Sequence, residues 1–192
     1  MKKNIIATFI GTLILFGWQF VSWMALPIHK DTLKYTAQQE EIITMLQKNI
    51  PSDGFYSVPG HDPSKNLSFK EMEAAGKESL HKPWALVLYN SSFEGMSAPN
   101  MIGGILMNLV AVVLAIILLH ACNAQEKTFG SVFRIIMILP VFCIFQAVLE
   151  NANWWAFPWH FIKGTVFDLI IGWALCGFYL AWQFKKPNSL QV

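Results

Sequence analysis

Two carboxylic acids and two histidines are the side chains of this sequence that could do chemistry in or beside apolar segments. They are Glu150 and Asp168, and His29 and His160. Imidazoles together with carboxylates can bind a metal ion or act as an acid–base pair. No two of the four have the spacing of a metal-binding motif such as HExxH. We therefore predict no bound metal and no other cofactor, and we assign no catalytic residue.

Three amide side chains lie in the same apolar segments and could be hydrogen-bond partners of the two carboxylates. An ionisable side chain costs at least about 2.5 kcal/mol at the centre of a bilayer, so it is expected to face a bundle interior, a partner or water. In one interpretation these polar groups hold helices together, at about 0.6 kcal/mol per contact. In the other they line a pocket for a ligand or an ion. The candidate ligand-binding residues are Asp168, Glu150, Gln146, Asn108, Gln19, His160 and His29.

The composition indicates the environment of these residues. The chain of 192 residues is 54% hydrophobic and 14% charged, with a mean hydropathy of +0.42. Soluble domains average about 25% charged residues, and disordered chains combine low hydrophobicity with high charge. The formal net charge is only +2, without the basic stripe of a nucleic-acid-binding protein. We therefore predict a membrane protein that has the lipid bilayer as a partner and binds no nucleic acid.

Four apolar segments are long enough to cross a bilayer, which takes about 20 helical residues. They cover residues 5–26, 101–121, 132–149 and 165–184. The third is the shortest and contains Pro140, which is predicted to kink it. The predicted fold is a membrane all-α fold: a four-transmembrane-helix bundle with a small α+β extracytoplasmic insert between helices 1 and 2.

The first apolar segment is predicted to be an uncleaved signal-anchor. It follows Lys2 and Lys3 and is longer than the 7–15 apolar residues of a signal peptide. The only small residue near a plausible cleavage point is Ala25, with bulky Trp23 two positions before it. The predicted organisation is transmembrane helix 1 in residues 1–26, the insert in residues 27–100, and helices 2–4 with a cytoplasmic C-terminus in residues 101–192.

The distribution of basic residues predicts that both termini are cytoplasmic. The short loop 150–164 contains only Lys163, whereas six basic residues flank the spans on the opposite side. Cytoplasmic flanks are the ones enriched in Lys and Arg, and long segments cross regardless of charge. We expect a bacterial inner membrane, a periplasmic insert, and the candidate residues in the outer half of the bundle. The six basic residues are Lys2, Lys3, Lys127, Arg134, Lys185 and Lys186.

The insert contains signals for two helices and two strands. Thr36 to Gln39 and Ser68 to Glu71 both have the spacing of a capping box, and each precedes a helical pattern. Residues 55–58 and 84–89 have strand character. The insert has no cysteine, so no disulfide can stabilise it.

The expected function is that of a non-enzymatic accessory or interaction protein of the bacterial envelope, with another envelope protein or a second copy as partner. This expectation rests on the lack of a nucleophile–base pair, a ligand-spaced cluster and a phosphate loop in the sequence. The first alternative is a small transporter or ligand-binding protein that uses the polar residues of the outer half. The second is an enzyme at the outer interface with His160 and Glu150 as its acid–base pair.

Overall fold

The chain folds into two units, seen here in a computed structural model that describes residues 2–62 and 64–185. The helical unit comprises the residues up to Tyr35 and those from Met96 onwards, and the insert unit comprises Thr36–Gly95. About 69% of the structure is helical. Lys186, one of the basic residues used to predict the orientation, lies outside the described residues.

Four helical stretches of the helical unit are long and apolar enough to cross a membrane, as the sequence predicts. They are α1 (Lys2–Met24), α4 (Ala98–Ala121), the 26 residues Phe129–Trp154, and α7 (Trp159–Phe184). Their outward faces carry large apolar side chains such as Phe9, Leu114 and Phe178. Exposed side chains of this kind match a surface that contacts lipid.

The third stretch changes its helix type one turn after Pro140. The α-helix α5 (Phe129–Cys143) contains Pro140, a π-helical segment follows over Ile144–Leu149, and α6 (Glu150–Trp154) completes the stretch. Proline has no N–H to donate to the preceding turn, yet α5 stays α-helical through Pro140. The irregularity of this stretch is the π-helical segment, which begins four residues after the proline.

The long helices pack in the order α4, α1, α7, α5. α4 and α5 contact each other far less than the other neighbours in this order do. The short loop between Ala121 and Phe129 joins α4 to α5, and the core beside it contains Leu119, Ile136 and Phe184. α4 and α5 are thus joined by a short loop but pack mainly on α1 and α7.

Close helix contacts occur at the small residues of α1 and α7. Ala7, Gly11, Gly177 and Ala181 have the small-xxx-small spacing and all four are buried. A Cβ atom on Gly11 would lie 2.9 Å from a methyl group of Val112. The small side chains let neighbouring helices approach closely, as is common between membrane helices.

The insert unit combines α2 (Gln39–Asn49), β1 (Gly54–Val58), α3 (Phe69–Ser79) and β2 (Ala85–Tyr89). β1 and β2 form a two-stranded antiparallel sheet in which Gly54 pairs with Tyr89. The predicted helices and strands are therefore present.

The two predicted capping boxes differ in outcome. Ser68 caps α3, and Ser68 and Glu71 exchange both hydrogen bonds of a capping box. The prediction for Thr36 is wrong, because α2 begins at Gln39 with Gln38 as its N-cap residue. The Thr36 hydroxyl instead donates to the Gln38 side chain at 2.9 Å, a local contact that competes with capping.

Candidate functional site

The best-connected polar side chain of the helical unit is Asp168, which α7 presents to α1. Trp18 Nε1 at 3.2 Å and Ser22 Oγ at 2.5 Å donate to its Oδ1. His29 Nε2 lies 2.9 Å from its Oδ2. Trp18 and Ser22 are one helical turn apart, so α1 points both at the same carboxylate. We call Trp18, Ser22, His29 and Asp168 the Asp168 cluster.

His29 reaches this cluster through a turn that follows α1. The chain forms a short 3₁₀ turn at Pro27–His29, with proline at its first position. The indole of Trp23 stacks on the imidazole, with ring centroids 3.9 Å apart and planes inclined by 8°. On the α7 side a Cβ atom at Gly164 would lie 2.6 Å from the imidazole, so only glycine leaves room for it. The His29 side chain is consequently only 6% exposed.

The cluster contains the residue types of a hydrolase triad in a different geometry. In a triad, one imidazole nitrogen binds the carboxylate and the other binds the serine hydroxyl. Here the same nitrogen of His29 lies 2.9 Å from Asp168 and 3.2 Å from the Ser22 hydroxyl. The hydroxyl also donates directly to the carboxylate. The imidazole is therefore not placed between serine and carboxylate, and the arrangement satisfies a partly buried carboxylate rather than activating a nucleophile.

A second polar contact links α1 to α4 at a similar depth. Asn108 Nδ2 donates to Gln19 Oε1 at 2.9 Å, and Gln19 Nε2 donates back to Asn108 Oδ1 at 3.4 Å. Asn108 is buried, whereas Gln19 keeps an exposed surface. The two amides satisfy each other, and each retains a lone pair or an N–H for a further partner.

Both polar groups border a cleft of about 590 Å³ in the helical unit. All four long helical stretches contribute to its lining, with α5 contributing only Cys143. α4 and α5, which both contribute to this lining, make few contacts with each other. The residues that line it are Leu15, Trp18, Gln19, Trp23, Met107, Asn108, Ala111, Cys143, Thr165, Asp168, Leu169, Gly172 and Trp173.

The insert unit has a larger depression, of about 850 Å³, near the end of β1 and α3. Its lining includes His61, His81 and Trp84, and apart from Ala75 every lining residue is exposed. Such an open surface would bury little of a ligand, since ligand sites usually enclose most of what they bind. The cleft of the helical unit is therefore the stronger candidate site.

The structure brings together four of the seven candidate residues around the cleft: Gln19, Asn108, Asp168 and, through the cluster, His29. Glu150 and Gln146 differ from the expected arrangement, because both are exposed and the partners of Asp168 are Trp18, Ser22 and His29. The π-helical segment contains Gln146 and ends just before Glu150. An extra residue per turn rotates the next turns of the helix about its axis, a change that an α-helical spacing rule does not include.

His160 also lies apart from the Asp168 cluster. It borders a shallow depression that is lined by Lys30, Asp31, Lys34 and their neighbours. Within the described residues, no group of three His, Cys, Asp or Glu side chains is close enough to hold a metal ion. Lys163, one turn before Asp168, approaches Asp31 at 3.8 Å instead.

Sequence reasoning missed two members of the cluster and most of the cleft. Trp18 was interpretable only as an interfacial aromatic residue, and Ser22 only as a polar residue on the same face as Gln19. The informative signal was the Trp18–Ser22 spacing, which places an indole N–H and a hydroxyl one turn apart. The chain matches no protein-family model, and no curated protein or solved structure is significantly similar to it.

Proposed function

We propose that this chain is a multi-pass protein of a bacterial inner membrane that binds an amphiphilic molecule of the bilayer in the cleft between α4 and α5. In this proposal the four helical stretches form a transmembrane bundle. Both termini are cytoplasmic, and the insert unit and the cleft face the periplasmic side. The basic residues that flank the spans support this orientation. The observation that carries the binding function is a cleft that combines a few polar groups with aromatic and aliphatic walls.

The size and lining of the cleft support ligand binding. Small-molecule sites are mostly apolar concavities of about 300–1,000 Å³ with a few placed polar groups. The cleft has about 590 Å³, aromatic and aliphatic walls, and polar groups from Gln19, Asn108 and Asp168. Contacts that only hold helices together would explain the amide pair and the Asp168 cluster. They would not explain the cleft that both groups border.

The sparse contact between α4 and α5 supports a ligand that enters from the lipid phase between them. The neighbouring outward faces carry exposed apolar side chains, including Leu106 on α4 and Phe142 on α5. A molecule that enters between α4 and α5 therefore crosses an apolar surface before it reaches the polar groups of the cleft. An amphiphile satisfies both conditions, with its chain toward the lipid and its polar end at the amides and the carboxylate.

The native thiol of Cys143 provides a test. Cys143 lines the cleft and is exposed, whereas Cys176 is buried. In a Cys122→Ser variant, a benzyl thiosulfonate should attach a benzyl group to Cys143 and fill the cleft. Native mass spectra of the detergent-purified protein should then lose the one amphiphile per chain that the unmodified protein retains.

The matched control places the same group on the lipid-facing side of the same helix. Ile138 is 61% exposed and does not border the cleft. An Ile138→Cys, Cys143→Ala, Cys122→Ser variant should keep its bound amphiphile after benzylation. Equal retention by all forms, or no retained molecule in the unmodified protein, would refute the proposed function.

A role as an accessory protein remains a second proposal, supported by the surface of the insert unit. Phe93, Phe69 and Leu88 are 96%, 78% and 72% exposed. Large apolar side chains in such numbers are typical of surfaces that contact a partner. A photoreactive phenylalanine analogue at Phe93 should crosslink to another envelope protein or to a second copy, whereas one at exposed Lys65 should not. Equal crosslinking at both positions would argue against this role.

A further inference from the structure

We propose that the polar end of the bound amphiphile is an ammonium group, for which Asp168 is the counter-ion and the tryptophans of the cleft are the aromatic partners. This inference rests on the proposed function of the cleft and adds the chemical class of the ligand. It derives from the charge, the aromatic lining and the shape of the same cleft. Each of these can be tested without assuming the other two.

The charge of the cleft is negative. Among the described residues that line it, Asp168 alone carries a formal charge at neutral pH, and neither lysine nor arginine is present. His29 Nε2 lies 2.9 Å from Oδ2, while Ser22 and Trp18 donate to Oδ1. Ser22 and Trp18 are neutral donors, so they satisfy Oδ1 without cancelling the charge of the carboxylate. The Asp168 side chain is still 13% exposed, so a cation in the cleft can approach it.

The aromatic side chains are of the kind that accompanies bound ammonium groups. Trp18, Trp23 and Trp173 all line the cleft. One face of Trp23 stacks on His29, and the indole is still 57% exposed. Tryptophan is the best cation–π partner, and cages of aromatic residues are a recurrent way of recognising substituted ammonium ions. A cleft lined by one carboxylate and three indoles therefore favours an organic cation over a neutral or anionic group.

The remaining lining explains why an amphiphile fits better than a small soluble cation. Leu15, Met107, Ala111 and Leu169 provide aliphatic walls next to the polar groups. Trp173 lies five residues beyond Asp168 on α7, about 7 Å further along the helix at 1.5 Å per residue. A chain of several methylene groups can occupy this length, and a bare ammonium ion leaves it unfilled.

The test measures thermal stabilisation of the full chain in maltoside micelles, which contain no ammonium group. A ligand that binds the folded protein raises its midpoint, and at a fixed concentration the shift grows with the logarithm of the affinity. We expect decyltrimethylammonium to bind at least tenfold more tightly than decanol, which has the same chain and a neutral head. Tetramethylammonium, the head without a chain, should give no shift at the same concentration.

Two variants test whether the preference for the ammonium head depends on Asp168 and Trp23. Asp168→Asn should lower the affinity for decyltrimethylammonium about tenfold and leave that for decanol unchanged. If Asp168→Asn does not fold, Trp23→Leu serves the same purpose, because its indole makes no hydrogen bond to the carboxylate. It should weaken binding of the cation severalfold, whereas Trp182→Leu, at a tryptophan equally exposed outside the cleft, should not.

The outcomes separate the two proposals. Equal binding of decanol and decyltrimethylammonium would overturn the ammonium assignment and leave the binding function in place. A shift by tetramethylammonium as large as that by the long-chain cation would overturn the choice of an amphiphile. If no compound binds and benzylation of Cys143 displaces nothing, the proposed function itself fails.

Discussion

At the level of single residues, the central feature is a carboxylate that forms hydrogen bonds with three side chains from two segments of the chain. Asp168 on α7 binds Trp18 and Ser22 on α1 and His29 in the turn after it. A buried carboxylate requires such donors, because an unsatisfied charged group is expensive in an apolar interior. The cluster therefore ties α1, its following turn and α7 into one arrangement.

The contact between Gly164 and His29 leads to a prediction about this arrangement. Gly164→Ala should force the imidazole away from Asp168, since the new Cβ would lie 2.6 Å from the ring. Overpacking of this kind costs about 1–3 kcal/mol, and we expect a lower thermal midpoint. Gly103→Ala is the control, because nothing lies within 4 Å of a Cβ at that position.

A double-mutant cycle identifies the cause of that destabilisation. In a His29→Ala background the clash is absent, so Gly164→Ala should cost no more than Gly103→Ala. A cost that persists without the imidazole would mean that Gly164 acts through another neighbour.

At this level the sequence predicted less than it did for the fold. The length and polarity of the segments were sufficient to select Asp168, Gln19 and Asn108 as inward-facing candidates. The same features did not predict which of these side chains form hydrogen bonds with each other, because that depends on how each helix is rotated about its axis. The amides partner each other, and the carboxylate takes Ser22 and Trp18. Trp18 went unrecognised because an interfacial tryptophan and a tryptophan that donates to a carboxylate look the same in a sequence.

At the level of helices and strands, the periodicity of apolar residues and the length of apolar segments predicted most elements. The exceptions are places where local hydrogen bonds or packing differ from what the sequence pattern indicates. Ser68 and Thr36 have the same capping-box spacing, yet only Ser68 caps a helix. Pro140 predicted an irregularity but not its form, since a proline specifies a missing hydrogen bond and the surrounding packing decides how the helix adapts.

Close packing between α1 and α4 gives a second prediction. Gly11→Ala should destabilise the protein by about 1–3 kcal/mol, because the new Cβ would lie 2.9 Å from Val112 and 3.3 Å from Cys176. Gly17→Ala on the same helix meets nothing within 4 Å and should leave the midpoint unchanged or raise it. Equal effects of the two substitutions would contradict this close helix contact.

The ends of β1 and β2 give a prediction about pH. Asp53, just before β1, accepts a hydrogen bond from the Ser91 backbone N–H at 2.8 Å. This bond and one from the Ser91 side chain lower the pKa of Asp53 below its ordinary value of 3.8. A lowered pKa contributes stability above the unfolded-state value, and this contribution is lost as the pH falls through the folded-state pKa.

The Ser91 amide reports on this contact directly. Its nitrogen and proton chemical shifts should titrate with a midpoint below 3.8, and Asp53→Asn should abolish the titration. A midpoint at or above 3.8 would show that the hydrogen bond does not form in solution.

At the level of the whole molecule, the chain combines a helical unit with apolar outward faces and a small insert unit between α1 and α4. Composition and segment length were enough to predict four stretches of spanning length, because the bilayer sets that length independently of the detailed sequence. The cleft could not be predicted in this way. Its lining depends on how α4 and α5, although joined by a short loop, pack more on α1 and α7 than on each other.

The proposed orientation predicts which single cysteines are accessible from outside the cell. In a background without native cysteines, Ser64→Cys in the insert unit should react with a membrane-impermeant maleimide in spheroplasts. Gln125→Cys, in the loop between α4 and α5, should react only after lysis. The reverse pattern would mean that the chain is inserted with its termini outside.

The cleft as a binding site is tested most directly by crosslinking two neighbouring positions on α4 to lipid in a native bilayer. Met107 borders the cleft and Leu106 does not, although both are exposed and lie at the same depth on adjacent faces of α4. A photoreactive side chain at position 107 should capture an amphiphile severalfold more efficiently than one at 106, and benzylation of Cys143 should remove the difference. Equal capture at the two positions, unaffected by benzylation, would contradict a binding site in the cleft.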